Sequence, residues 1–216
     1  RHRCEALNKL DLKALRYTCK NGTDLLLELP EGHIWQGGEE ASKDGTIFNA
    51  NIPTEEIFSA PQYNGVNGIV YSTKPLIYHG NTISDFSFTF KEGKIVEYTA
   101  KEGYEVLKEL VETDEGSHYL GEVALVDHFS PISQSNQIFY ETLFDENASC
   151  HLAIGASYPT CLKNSDGLSD DELKERGLNY SLTHVDFMIG HEHMNIKGYT
   201  RDGQEVDIMI DGRLQV

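Results

Sequence analysis

At 216 residues, 39% of them apolar and 10% aromatic, the chain is long enough and apolar enough to close a hydrophobic core, which excludes a disordered protein. Its 35 Asp and Glu against 18 Lys and Arg leave a formal charge of −17, which excludes a nucleic-acid surface because phosphates call for clustered cations. No stretch approaches the ~18 consecutive apolar residues of a membrane-spanning helix, so no membrane partner is expected.

Taken in chain order, residues 1–18 favour a short helix, with Leu7, Leu10, Leu12 and Leu15 at mixed helical spacing. "GTDLLLELPEG" then reads as a strand closed by a Pro-Glu-Gly turn. From 45 to 100 the runs "GTIFNANIP", "NGIVYST", "PLIYHG", "ISDFSFTF" and "KIVEYTA" read as short strands. Phe86, Phe88 and Phe90 share one face, and "KEGKI" makes a hairpin. Period switches in "EGYEVLKELVET", a helix with Tyr104, Leu107 and Leu110 or Val111 on one stripe, which sets a boundary near residue 101. Beyond it come a buried strand "GEVALV", a helix around "NQIFYETLF", a strand "CHLAIG", a charged helix "SDDELKERG", a strand "SLTHVDFMIG" and a terminal hairpin.

The expected fold is α+β. Residues 1–100 form a β-rich part, a small barrel or curved antiparallel sheet with a short N-terminal helix, and residues 101–216 a mixed α/β part that binds metal. Cys4, Cys19, Cys150 and Cys161 form no C-x-x-C pair, and such sparse cysteines fit reduced thiols in a cytoplasm. The chain opens at Arg1 in mid-pattern, as a piece of a longer protein would.

Glu56, Glu122, Glu146, His151, His184 and Asp186 each stand at the edge of an apolar or turn-forming segment, a context that suits a two-metal site. In a strand, His184 and Asp186 project from one face and reach a common cation, although such pairs also serve plain hydrogen bonding. Glu146 and His151 flank a helix-to-strand junction where Asp145, Asn147 and Ser149 offer a competing capping role. For Glu122 the commonest alternative is a surface glutamate, since strand starts are often exposed. Adjacent Glu55 and Glu56 face opposite ways in an extended chain, so one can hold metal while the other carries a proton.

The blocks "NIPTEEIF", "GEVALV", "FYETLFDENASCHLAIGASYP", "THVDFMIG" and "VDIMIDG", in that order over nearly the whole chain, resemble the thermophilic-type metallo-aminopeptidases, the aminopeptidase S and T group. The likeness is to the C-terminal catalytic portion of the aminopeptidase S type, with the family's N-terminal region absent. It implies a dinuclear centre held by Glu56, Glu122, Glu146, His151, His184 and Asp186, with Tyr158 lining the site. Other two-metal aminopeptidases suggest Glu55 as general base. It further implies two divalent cations, peptide substrates with a free N-terminus, and a homodimer in the full-length protein. Carboxylate and imidazole donors suit zinc or cobalt, and admit manganese or magnesium. Two competing readings are a non-catalytic acidic module that binds metal or peptide, and a metal-free carboxylate-pair glycosidase using Glu55 or Glu56 with Glu122.

Overall fold

A computed structural model describes residues 2–38, 40–48, 55–139 and 142–216. The first helix, α1, spans His2–Leu10 and buries Cys4 and Leu7. It does not continue to residue 18 as the leucine spacing predicts. Asp11 turns the backbone into the left-handed region (φ 45°), and Leu12–Thr18 emerges as strand β1 with Leu12, Ala14, Leu15 and Tyr17 buried. Tertiary burial overrides a weak helical pattern here.

The strands that follow are β2 (Asp24–Glu28), β3 (Glu40–Ala41), β4 (Ile47–Phe48), β5 (Ile57–Ser59), β6 (Val66–Tyr71), β7 (Leu76–Tyr78), β8 (Asn81–Ile83), β9 (Ser87–Lys91) and β10 (Lys94–Thr99). After helix α2 (Tyr104–Val111) come β11 (Leu120–Leu125), α3 (Pro131–Gln134), α4 (Thr142–Asp145), β12 (His151–Gly155), α5 (Asp170–Glu175), β13 (His184–Met188), β14 (Asn195–Thr200), β15 (Glu205–Ile210) and β16 (Arg213–Leu214). The expected strand in "GTIFNANIP" is present at Ile47–Phe48, while its residues 49–53 lie outside the described residues. The helix expected at "NQIFYETLF" is reduced to α4, with residues 140–141 outside the described residues. Asn136, at φ 51°, breaks the backbone after α3, and the following residues through Phe139 are not helical. Residues expected on one face also part company: Leu107, Leu110 and Val111 are buried in α2, whereas Tyr104 is exposed and stacks on Tyr98.

All strand pairings are antiparallel among the described residues, in two main sheets, one of eight strands ordered β10-β9-β6-β2-β1-β14-β15-β16 and one of four ordered β13-β12-β11-β5, beside the separate pairs β3-β4 and β7-β8. The larger sheet is open, ending on β10 and β16, so the expected barrel does not close and the α+β class holds. Strands from both sides of residue 101 share each sheet: β14 pairs with β1, and β5 with β11. The hairpin at "KEGKI" turns on Glu92 (φ 51°) and Gly93 (φ 83°), both in the left-handed conformation that matches strand twist.

The two sheets meet through aromatic rings. Phe86, Phe88 and Phe90 are buried on one face as the alternation predicts, and Phe187 of β13 packs against Phe88 and Phe86 at ring-centroid distances of 5.1 and 5.9 Å. Alternation then decides the rest of β13. With Phe187 committed to the core, His184 and Asp186 must leave by the opposite face.

Candidate metal centre

Register in the small sheet assembles the candidate ligands. Glu122 of β11 pairs with Ala153 of β12, and Ala153 pairs with Asp186 of β13, so both carboxylates stand in one row. Two residues along, His151 lies on the same face of β12, and His184 on the same face of β13 opposite Gly155. Ala153 and Gly155 supply no bulk, which leaves room above the sheet for four polar side chains. Gly155 is also required by its backbone: at φ 105° an added Cβ would sit 2.1 Å from the Thr183 carbonyl oxygen. Glu56 arrives from just before β5, the partner of β11, and Glu146 from the 3₁₀ turn Glu146–Ala148 that feeds β12.

Two donor groups result. Glu56, Glu122 and His151 each offer an atom within 4.8 Å of the others, and so do Glu122, His184 and Asp186. Glu122 belongs to both, turning Oε1 toward His151 Nε2 at 3.3 Å and Oε2 toward His184 Nε2 at 3.6 Å. Asp186 Oδ1 lies 3.5 Å from His184 Nε2, and Glu56 Oε2 lies 3.6 Å from His151 Nε2.

Both imidazoles are oriented from behind. His151 Nδ1 lies 3.0 Å from the Ser149 carbonyl oxygen, and His184 Nδ1 lies 2.7 Å from that of Ala156. A carbonyl oxygen only accepts, so Nδ1 carries the hydrogen and Nε2 is aimed at the acids. This is the arrangement in which an outer hydrogen bond fixes a ligand histidine.

The electrostatics reflect crowding. Burial, reinforced by neighbouring Glu122 and Asp186, holds the Glu56 carboxyl up at about 7. Burial and then Asp186 push Glu146 to about 8. For His151 burial favours the neutral ring, but Glu122, Glu56 and Asp186 outweigh it and raise the imidazole to about 10. His184 rises to about 9, because Asp186 and Glu122 overcome the same burial penalty. Burial opposes ionisation of Asp186, yet His184 and His151 keep its carboxyl below the ordinary range.

These residues fit divalent cations. Buried His151 Nε2 and Asp186 Oδ1 have no hydrogen-bond partner among the described residues, a costly condition unless something else occupies them. Mixed carboxylate and imidazole donors are the set that binds zinc, cobalt or manganese.

Of the other predicted residues, Tyr158 stands at the rim, 48% exposed, with its ring 4.9 Å from that of His184 and 6.0 Å from that of Phe58. Partial burial and then the nearby carboxylates push its phenol up to about 12. Glu55 joins neither donor group. It lines, with Glu56, a cleft of about 560 Å³. Asp145 has the expected structural task, accepting the Phe139 backbone N–H at 3.0 Å. His191 and His193 sit in the turn after β13, their rings 5.4 Å apart, outside both donor groups.

Sequence reasoning gave Asn147 only a local capping role and passed over Lys74. Asn147, fully buried, accepts the Glu55 backbone N–H through Oδ1 at 3.1 Å and so ties the segment carrying Glu55 and Glu56 to the turn carrying Glu146. Only its neighbourhood of "DENASCH" hinted at it. Lys74 lines a small cavity together with Asp145 and Asp186, and burial lowers its ammonium pKa; nothing in "STKPL" signals this.

A model of the thermophilic metalloprotease family (M29) matches residues 1–214. Aminopeptidase 2 of Geobacillus stearothermophilus is 53% identical over 206 residues, which cover 95% of this chain and 50% of that protein. Aminopeptidase AmpS of Bacillus subtilis (strain 168) is 55% identical over the same shares. The solved structure of wild-type AmpT from Thermus thermophilus superposes with a TM-score of 0.94 at 42% identity, covering 100% of this chain and 53% of that one. The chain thus spans about half the length of the curated relatives it matches.

Proposed function

Because the chain belongs to the thermophilic metalloprotease family (M29), we propose that it carries the active site of a metal-dependent aminopeptidase that hydrolyses the first peptide bond of peptides with a free N-terminus. The observation that carries this reading is the position of Glu122 in two donor groups at once. A carboxylate with one oxygen toward each group suits a bridge between two cations, and supports a dinuclear centre over a single one. Glu56 and His151 would hold one cation, His184 and Asp186 the other; Glu146 joins neither donor group but feels the charges of Asp186, His151 and Glu56 from its turn, which supports it as a further ligand. Zinc and cobalt match these donors best, then manganese and magnesium.

Such cations, when bound, make a water nucleophilic near neutral pH and polarise a carbonyl. The remaining work falls to the chain. Glu55, on the cleft side, takes the water proton and delivers it to the departing amine. The Tyr158 hydroxyl, held protonated, donates a hydrogen bond to the oxygen on which charge develops. The cluster of acids favours a substrate whose terminus is an ammonium. Residues 101–216 supply five of these candidate ligands and residues 1–100 supply Glu56, which supports a division of labour along the chain without separate sheets. The free state of all four cysteines supports a reducing, cytoplasmic setting, and the resemblance supports a homodimer for the full-length protein.

The test is metal analysis and hydrolysis of an aminoacyl p-nitroanilide by the full-length protein, before chelation, after it, and after a cation is restored. Activity lost with the metal and regained with it is expected. Hydrolysis indifferent to chelation would overturn the proposal.

A further inference from the structure

The cleft lined by Glu55 and Glu56 is also lined by two arginines. They are Arg3, from the first turn of α1, and Arg213, from β16, and Phe129 lines the same cleft. At about 560 Å³ it falls among cavities that hold small ligands.

Arg213 is fixed in place without being neutralised. Its guanidinium carbon lies 4.2 Å from the centroid of the Phe129 ring, and it has no ion-pair partner among the described residues. Arg3 has one nearby carboxylate, Asp127, at 3.9 Å. Asp127 is already engaged: Oδ1 accepts the Phe129 N–H at 2.8 Å, and Oδ2 accepts the Leu214 N–H at 3.1 Å. Arg213 is exposed at the cleft and stacks on Phe129 with no carboxylate partner among the described residues, so its guanidinium is open to a ligand. A guanidinium held by an aromatic face is pre-organised for a bidentate carboxylate and loses little freedom on binding one.

We propose that Arg213, assisted by Arg3, forms a subsite for the C-terminal carboxylate of short peptides. The cleft is then dipolar, acidic at Glu56 and basic at Arg213, which complements a small zwitterionic peptide with its ammonium at one end and its carboxylate at the other. The guanidiniums repel an ammonium, so the amino end is directed to the acids and the portion beyond the scissile bond lies toward Arg213. That orientation rests on the aminopeptidase reading; the carboxylate subsite rests on the cleft alone.

The two are separated by measuring binding without turnover. Glycyl-sarcosyl-glycine and its C-terminal amide, whose tertiary first peptide bond resists hydrolysis, are titrated calorimetrically into the metal-loaded full-length protein. Wild type is expected to bind the acid at least about tenfold more tightly than the amide, the worth of one charged hydrogen-bonded contact. The acid-to-amide ratio should fall toward one in Arg213→Gln, fall partly in Arg3→Gln, and recover in part in Arg213→Lys. Equal affinities for acid and amide in wild type, no binding of either at millimolar concentration, or a preference that survives both glutamine variants would overturn the subsite. The wild-type comparison needs no folded variant. Failure of the aminopeptidase reading would register separately, as absence of chelator-sensitive hydrolysis.

Discussion

Glu122 and Asp186 stand in one row of the small sheet with only the methyl group of Ala153 in register between them. Ala153 is fully buried there, so a larger side chain would compete with the two carboxylates for the same space. Ala153→Leu should therefore lower metal occupancy at least tenfold, and overpacking should cost about 1–3 kcal/mol of stability. Elemental analysis after dialysis and denaturant midpoints check this; full occupancy in the variant would show that the space has slack.

The double membership of Glu122 makes a graded prediction about stoichiometry. Wild type should bind two divalent cations per chain, Glu56→Ala should retain about one, and Glu122→Ala should retain neither at micromolar free metal. Stoichiometries from elemental analysis that are equal for the two variants would argue against a bridging role.

Glu55 and Glu56 are neighbours with different expected phenotypes. Glu55→Gln should keep its metal and lose at least about 100-fold in kcat, in the range of general base catalysis. A kcat near wild type would assign the proton transfer elsewhere.

Tyr158→Phe removes one hydroxyl and leaves the ring against His184. Steady-state kinetics should show kcat reduced about 100-fold with KM and metal content little changed, as when an oxyanion donor is lost. A variant impaired only in KM would make Tyr158 a binding residue.

His33, which joins neither donor group, gives a pH test of stability. Burial lowers its imidazole from 6.5 to about 4, with Nδ1 donating to the Pro30 carbonyl oxygen at 3.1 Å. The folded protein keeps the ring neutral while the unfolded chain protonates it below pH 6.5, so stability falls as pH drops from 6.5 toward 4 and is unaffected above 6.5. The full loss is about 3 kcal/mol. His33→Gln should flatten that part of the urea-denaturation profile, and identical acid slopes in both proteins would discount the effect.

What could be read in the sequence follows the range of the interactions involved. His184 and Asp186 are legible as a pair because strand alternation is local, and the hairpin at residues 91–95 because its turn residues are. Glu56 is not: its place depends on β5 joining β11 and on Asn147 holding the backbone N–H of the preceding Glu55 across 92 residues, relations that no short window contains. The resemblance to a family named the full candidate set where spacing left each pair ambiguous. Leu12 and Leu15 misread as helix for a related reason, since the partner strand that claims them lies some 180 residues away. Arg213 drew no notice, because its lack of a carboxylate partner is visible only once the cleft exists.

The pairing of β1 with β14 also bears on how the protein is made. Residues 12–18 find β2 on one side soon after synthesis, but their other edge stays open until residues 195–200 have left the ribosome. While the residues between β1 and β14 are being synthesised, the nascent chain therefore carries a strand with an unsatisfied hydrogen-bonding edge, the kind of surface that recruits other strands.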